Sequence, residues 1–267
     1  MKRRFTFLLM ALSALLVMPT LAQNTPSSLA TLSYDGISFS YDPALGAVLS
    51  QTAAEVPAAS DMMPGSYWPT HIAFTFINAK EGDTLFTPDL YPQLSIYKID
   101  DIAAYKDDIF TQALKDLNIF VAAGSGDLSK YDVVAPDDTS LNLPHLPPIA
   151  AGQVIRAQAQ YLPMANGTGI RYLTSNASDV SPLTDDRIQY TYQGLTKDGY
   201  YIAFTYPIKT GVLPTELPAD FDYNAFSNNY IKEMNDALQK VNTADGSTFT
   251  PTLASLDALV KSIKIDG

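Results

Sequence analysis

Two short connections constrain this chain more than any other feature of its sequence. Ile188–Leu195 and Tyr200–Pro207 are strand-like runs joined by Thr196-Lys-Asp-Gly199, and Asp198-Gly199 is a strong hairpin signal. Before them, Gln153–Tyr161 and Gly167–Ser175 are joined through Pro163-Met-Ala-Asn166. Parallel strands need a crossover of a dozen or more residues, so links this short dictate antiparallel pairing.

The rest of the chain is read around that sheet. Gly36–Tyr41 alternates apolar and small polar residues, the mark of a half-buried strand, and Ala47–Ala53 is its expected hairpin partner after a turn at Asp42-Pro43. Thr70–Ile77 and Leu94–Ile99 are further strands, punctuated by Gly82, Asp83 and Pro88. Asp100 or Asp101 can cap a helix reaching about Ala122, with Ile102, Tyr105, Ile109, Ala113, Leu117, Phe120 and Val121 on one stripe. Lys106, Asp107, Asp108, Gln112, Lys115 and Asp116 lie off that stripe, and Gly124-Ser-Gly126 ends the helix. A second helix is expected at about Asn224–Val241, and a third from an N-cap at Thr250 followed by Pro251. Ser262–Ile265 reads as a short edge strand. Strands and helices arranged in blocks predict an α+β fold: a twisted antiparallel sheet of about 7–9 strands with helices packed on it, an αβα sandwich.

The start of the chain reads as a targeting segment. Lys2, Arg3 and Arg4 precede an apolar run of 14 residues, Phe5–Met18, and Thr20-Leu-Ala22 offers small residues for cleavage near Ala22. The run is shorter than the ~20 residues a membrane-spanning helix needs, so no stable membrane insertion is expected after cleavage. The expected organisation is a signal peptide over 1–22, a flexible leader over 23–32 and a single α+β domain over 33–267, with a proline-rich loop at 137–152. Without the three basic residues of the segment, 14 Lys and Arg stand against 28 Asp and Glu, a net charge of −14. Such a chain repels nucleic acid and anionic surfaces, so nucleic-acid binding is set aside. The chain has no Cys, which removes disulfides, thiolate metal sites and a cysteine nucleophile. The localisation expected is secreted or extracytoplasmic, in a bacterium.

Gly36-Ile-Ser-Phe-Ser-Tyr41 with Asp42-Pro43, the aromatic Tyr200–Tyr206, and Leu256–Ile265 with its Lys261-Ser-Ile-Lys-Ile265 ending resemble strands and the closing helix of the PsbP-like proteins, many of them exported by bacteria. The resemblance implies an αβα sandwich and an accessory or binding role. That family has no shared catalytic set, so no residue here inherits one.

The residues themselves supply little chemistry. No G-x-S-x-G elbow is present, and the two histidines, His71 and His145, are isolated. No catalytic residue, metal site or cofactor is assigned. Asp220-Phe-Asp222-Tyr-Asn224 has calcium-loop spacing but lacks the later Gly and Glu, so it reads as a helix-capping segment. One constellation stands out. With strict alternation, Arg156, Gln158 and Gln160 share a polar sheet face with Arg171 and with Gln189, Thr191 and Gln193. Arg156, Gln158, Arg171, Gln189 and Thr191 are the candidate ligand-binding residues, suited to a glycan or an anionic group. Trp68 is a loop aromatic that can stack on a partner or plug the core. The expected function is an exported, non-catalytic bacterial binding or accessory domain, its partner an unknown envelope or extracellular protein or a polar ligand. The alternatives are a carboxylate-dependent, glycosidase-like hydrolase and a calcium-dependent adhesive module.

Overall fold

The structure, a computed structural model, describes residues 28–59, 61–77, 92–134 and 143–266. The signal segment, residues 23–27 of the leader, the Gly82, Asp83 and Pro88 punctuation and residues 137–142 of the proline-rich loop lie outside the described residues. The fold is α+β, with helices packed on antiparallel sheets.

The large sheet has seven strands. They are β3 (Ala47–Ala53), β4 (His71–Ile77), β5 (Gln93–Lys98), β6 (Gly152–Met164), β7 (Gly167–Ala177), β8 (Gln189–Thr196) and β9 (Tyr200–Pro207). Their order is β3-β4-β5-β9-β8-β7-β6, every pair antiparallel. Both hairpins form where the turn chemistry places them. A smaller sheet sets β2 (Ile37–Tyr41) between β1 (Ala30–Tyr34) and β10 (Lys264–Ile265).

The smaller sheet corrects two expectations. Residues 30–32 are not leader but the start of β1, which turns into β2 through Asp35-Gly36, both at positive φ. That pair is a type I′ hairpin signal of its own. Ala47–Ala53 does not return beside β2. A 3-10 turn at Pro43–Leu45 buries Leu45, and Gly46, at φ 107°, redirects the chain into the large sheet. Far along the sequence, Ser262 Oγ donates to Ser40 O (3.0 Å) and accepts from Ser40 N–H (2.8 Å), fastening positions 222 apart.

Two expected helices are each interrupted. The first is α1 (Ile99–Tyr105) followed by α2 (Asp108–Ala123), because Asp107 accepts from the backbone N–H groups of Ile109 and Phe110 and caps a new start, rather than Asp100 or Asp101. The second is α3 (Tyr223–Asn228) followed by α4 (Tyr230–Thr243), where the Asn229 amide donates back to Ala225 O and closes α3. The last helix, α5 (Leu253–Ser262), is capped by Thr252, not Thr250. Thr250 exchanges backbone hydrogen bonds with Lys209 and is held extended.

Both faces of the large sheet are buried. On one, Ile102, Phe110, Leu117 and Phe120 of α1 and α2 pack on Tyr97, Tyr172, Tyr201 and Ile170. On the other, α4, α5 and β2 pack on Phe74, Leu94, Tyr190, Tyr192 and Phe204. The free edge of β6 is covered too: Arg156 N–H donates to Val133 O, Ala159 N–H to Asp132 Oδ1 and Gln158 N–H to Asn242 Oδ1. Such covering prevents edge-to-edge association.

Glycines set one tight contact in the sheet. The fully buried ring of Tyr192 lies over Gly169 and Gly194; a Cβ on Gly169 would sit 2.8 Å from Tyr192 Cζ and 2.5 Å from Gly194 Cα. Gly169→Ala is therefore expected to cost about 3 kcal/mol by overpacking, read as a lower urea midpoint. Because the nearest atoms to that Cβ are backbone, Gln193 O and Gly194 Cα, an unchanged midpoint would show that β8 can shift away from β7 here.

Candidate functional site

The structure separates the five candidate residues. Arg156 pairs with Thr174, and Thr174 with Gln189, while Tyr172 pairs with Thr191, so Arg156, Gln189 and Thr191 share the α2 face. Arg171 pairs with Gln160 on one side and Tyr192 on the other, which places it on the opposite, α5 face. Gln158 sits on a β-bulge at φ 50°, where the register slips between Ala157 and Gln160. The extra residue breaks the alternation between Arg156 and Gln160, and the regular β7–β8 register, with Arg171 opposite Tyr192, separates Arg171 from Gln189 and Thr191.

None of the five lines an open face. Arg156, Arg171, Gln189 and Thr191 are all buried. Gln158 Nε2 donates to Val241 O (2.7 Å) and Ala244 O (3.1 Å), so this side chain closes the carbonyl end of α4. Arg171 lies beside Asp257 of α5. The glycan or anion face is therefore corrected to interior polar structure, covered because helices lie on both sides of the sheet. Trp68 plugs rather than projects: its Nε1–H donates to Ala54 O (3.0 Å), and the ring packs on the α2-side core. His71 shares a 2.9 Å hydrogen bond with Pro69 O and stacks on Tyr97, and burial lowers its pKa. Asp222 caps α3 by accepting from Ala225 N–H, as the capping reading of 220–224 expects. Among the described residues no group of three His, Cys, Asp or Glu could hold a metal ion.

A different site forms beside α2. A cleft of about 550 Å³ lies between that helix, the loop 143–151 and the adjoining ends of β6 and β7. Asp108, Gln112 and Asp116 recur every four residues and form one wall, with Gln112 Nε2 donating to Asp116 Oδ1 (2.7 Å). His145, Gln153 and Asn176 contribute the other polar groups, and Pro144, Pro148 and Ile149 add apolar surface.

The sheet pins the proline-rich loop. Gln193 clamps Leu146 at both ends of its amide, accepting from Leu146 N–H (2.9 Å) and donating to Leu146 O (3.1 Å). Tyr172 Oη donates to Pro144 O (2.9 Å), and Gln153 Nε2 to Leu143 O (3.1 Å). A loop held this way offers a preformed wall, and preorganisation lowers the entropy cost of binding.

His145 is poised in one tautomer. Its Nδ1 lies 3.1 Å from Pro147 O, and a carbonyl only accepts, so Nδ1 carries the proton and Nε2 keeps a lone pair. Burial pushes the pKa of the ring down to about 4. His145 Nε2, Gln153 Oε1 and Asn176 Nδ2 are buried without a hydrogen-bond partner among the described residues. Buried polar atoms are usually paired, so three orphans around one cleft mark a place where a ligand or ordered water completes the bonding.

In the sequence, Asp108, Gln112 and Asp116 lie off the apolar stripe of the helix and His145 is an isolated histidine. Their four-residue spacing along α2 was the available signal. Nothing local joins that wall to residues 145, 153 and 176. No protein-family model matches the chain, and no curated protein matches it either.

Proposed function

We propose that this protein is an exported, non-catalytic binding or accessory domain of the bacterial envelope or extracellular space, and that the cleft beside α2 is where it holds a small polar ligand. The observation that carries the reading is the set of three buried, unpartnered polar atoms around a cleft with a pinned wall. Export rests on the basic, apolar and small-residue order of 1–22. The resemblance to PsbP-like proteins agrees with an accessory role and is itself part of the proposal.

Binding is favoured over hydrolysis by position. Asp108 and Asp116 stand on the same wall, about 12 Å apart along the helix at 1.5 Å per residue. A glycosidase instead places two carboxyls on either side of the scissile bond, about 5–10 Å apart. A neutral imidazole with its Nδ1 proton committed to a carbonyl suits recognition better than proton delivery.

The test uses the mature protein as bait for envelope and culture-medium fractions, with retained small molecules identified by mass spectrometry. Ala151→Trp, at the cleft wall, should abolish retention while leaving the melting temperature within a few degrees. Equal retention by both proteins would remove the cleft from the proposal.

A further inference from the structure

We infer that the cleft accepts a ligand presenting a primary alkylammonium group; this rests on the binding reading above and names its ligand class. Gln153 spends its amide donors on Leu143 O and Tyr172 Oη, which fixes the amide orientation and leaves Oε1 as an acceptor. His145 spends its donor on Pro147 O and leaves Nε2 as a second acceptor. Asp108 and Asp116 add two carboxylates, and among the described residues no Lys or Arg lines the cleft. Asn176 Nδ2 is the buried donor set against these acceptors.

Three ligand chemistries meet this lining differently. An anion would face two carboxylates with no lining cation to answer it. The buried Arg156 guanidinium acts on Tyr172 beneath the loop but is not part of the lining. A polyol brings an acceptor with each hydroxyl, and most of these would find no donor. An ammonium group carries three donors and no acceptor, and it complements carboxylates, an imidazole lone pair and an amide oxygen together. Because burial keeps the His145 ring neutral near pH 7, Nε2 stays an acceptor there. Pro144, Pro148 and Ile149 give the alkyl stem apolar surface.

Isothermal titration of the mature protein at pH 7 and 150 mM salt, where surface charge is largely screened, tests this directly. The probes are 1,5-diaminopentane for a free amine and Nα-acetyl-lysine amide for a lysine side chain, with glutarate and sorbitol as the anionic and neutral arms. At least one amine should bind with a stoichiometry of one. The amine that binds identifies the source. Asp116→Asn should weaken that binding at least tenfold, whereas Asp236→Asn on the far, exposed surface of α4 should not. Silence from both amines, preference for glutarate or sorbitol, or equal loss in the two variants would overturn the inference. Retention of an anion or a sugar by wild type but not Ala151→Trp would sink the amine and keep the cleft. Equal amine binding by wild type and Ala151→Trp would sink both.

Discussion

Asp257→Ala is expected to lower the stability of this protein by about 3–5 kcal/mol, the range for breaking a buried ion pair by removing one partner. Arg171 Nε lies 3.5 Å from Asp257 Oδ1, and the two side chains are 6% and 13% exposed. Tyr190 Oη donates to the same carboxylate oxygen (2.9 Å), and Arg171 Nη1 donates to Gln158 O (3.1 Å). Truncating Asp257 leaves a guanidinium and a phenol in the interior with no acceptor from α5. Replacing both charges, as Arg171→Met with Asp257→Leu, should recover most of the loss, because the penalty is the uncompensated charge rather than the missing attraction. Urea unfolding of the wild type, the single variant and the double variant checks this. A single-variant cost under about 1 kcal/mol would show that Arg171 reaches water or another carboxylate.

Stability is also expected to fall as the pH drops from about 6.5 to about 4. His145 titrates near 6.5 in an unfolded chain, and burial holds it at about 4 in the fold. Between those values the unfolded chain takes up a proton that the folded chain refuses, so acid favours unfolding. The contribution is complete above the unfolded value and gone below the folded one; a separation of this size is worth up to roughly 3 kcal/mol. His71, also lowered by burial, acts in the same direction. His145→Gln should flatten the profile of unfolding free energy against pH between 7 and 4.5. Parallel profiles for the two proteins would mean that the imidazole is solvated and titrates normally.

What the sequence disclosed followed the range of the interactions involved. Asp198-Gly199 and the link through Asn166 are local, so the hairpins were legible, and with them the antiparallel α+β class. Asp107 acts as a cap only because the preceding turn leaves the helix at Lys106 (φ 59°), and its position between two apolar residues of one stripe concealed the break. The bulge at Gln158 was invisible because its partners, Val241, Asn242 and Ala244, lie at the end of a helix more than eighty positions away. That one residue sent Arg171 and Arg156 to opposite faces. The polar strand positions were expected to share a face that takes a ligand, and they meet covering layers instead. An alternating pattern cannot distinguish water from a helix that supplies its own polar partners. The cleft drew on three separated segments, and only its α2 wall had a period that could be read.

The clasp between Ser40 and Ser262 bears on how the molecule is made. During synthesis β2 must wait for a partner 222 positions downstream, and until then one side of that strand offers bare amides and carbonyls to any neighbouring polypeptide. Closing a loop of that length is slow compared with forming either hairpin. Assembly therefore has a vulnerable interval that lasts until the last residues of the chain are free to fold, and crowding among unfinished copies is the hazard this architecture has to survive.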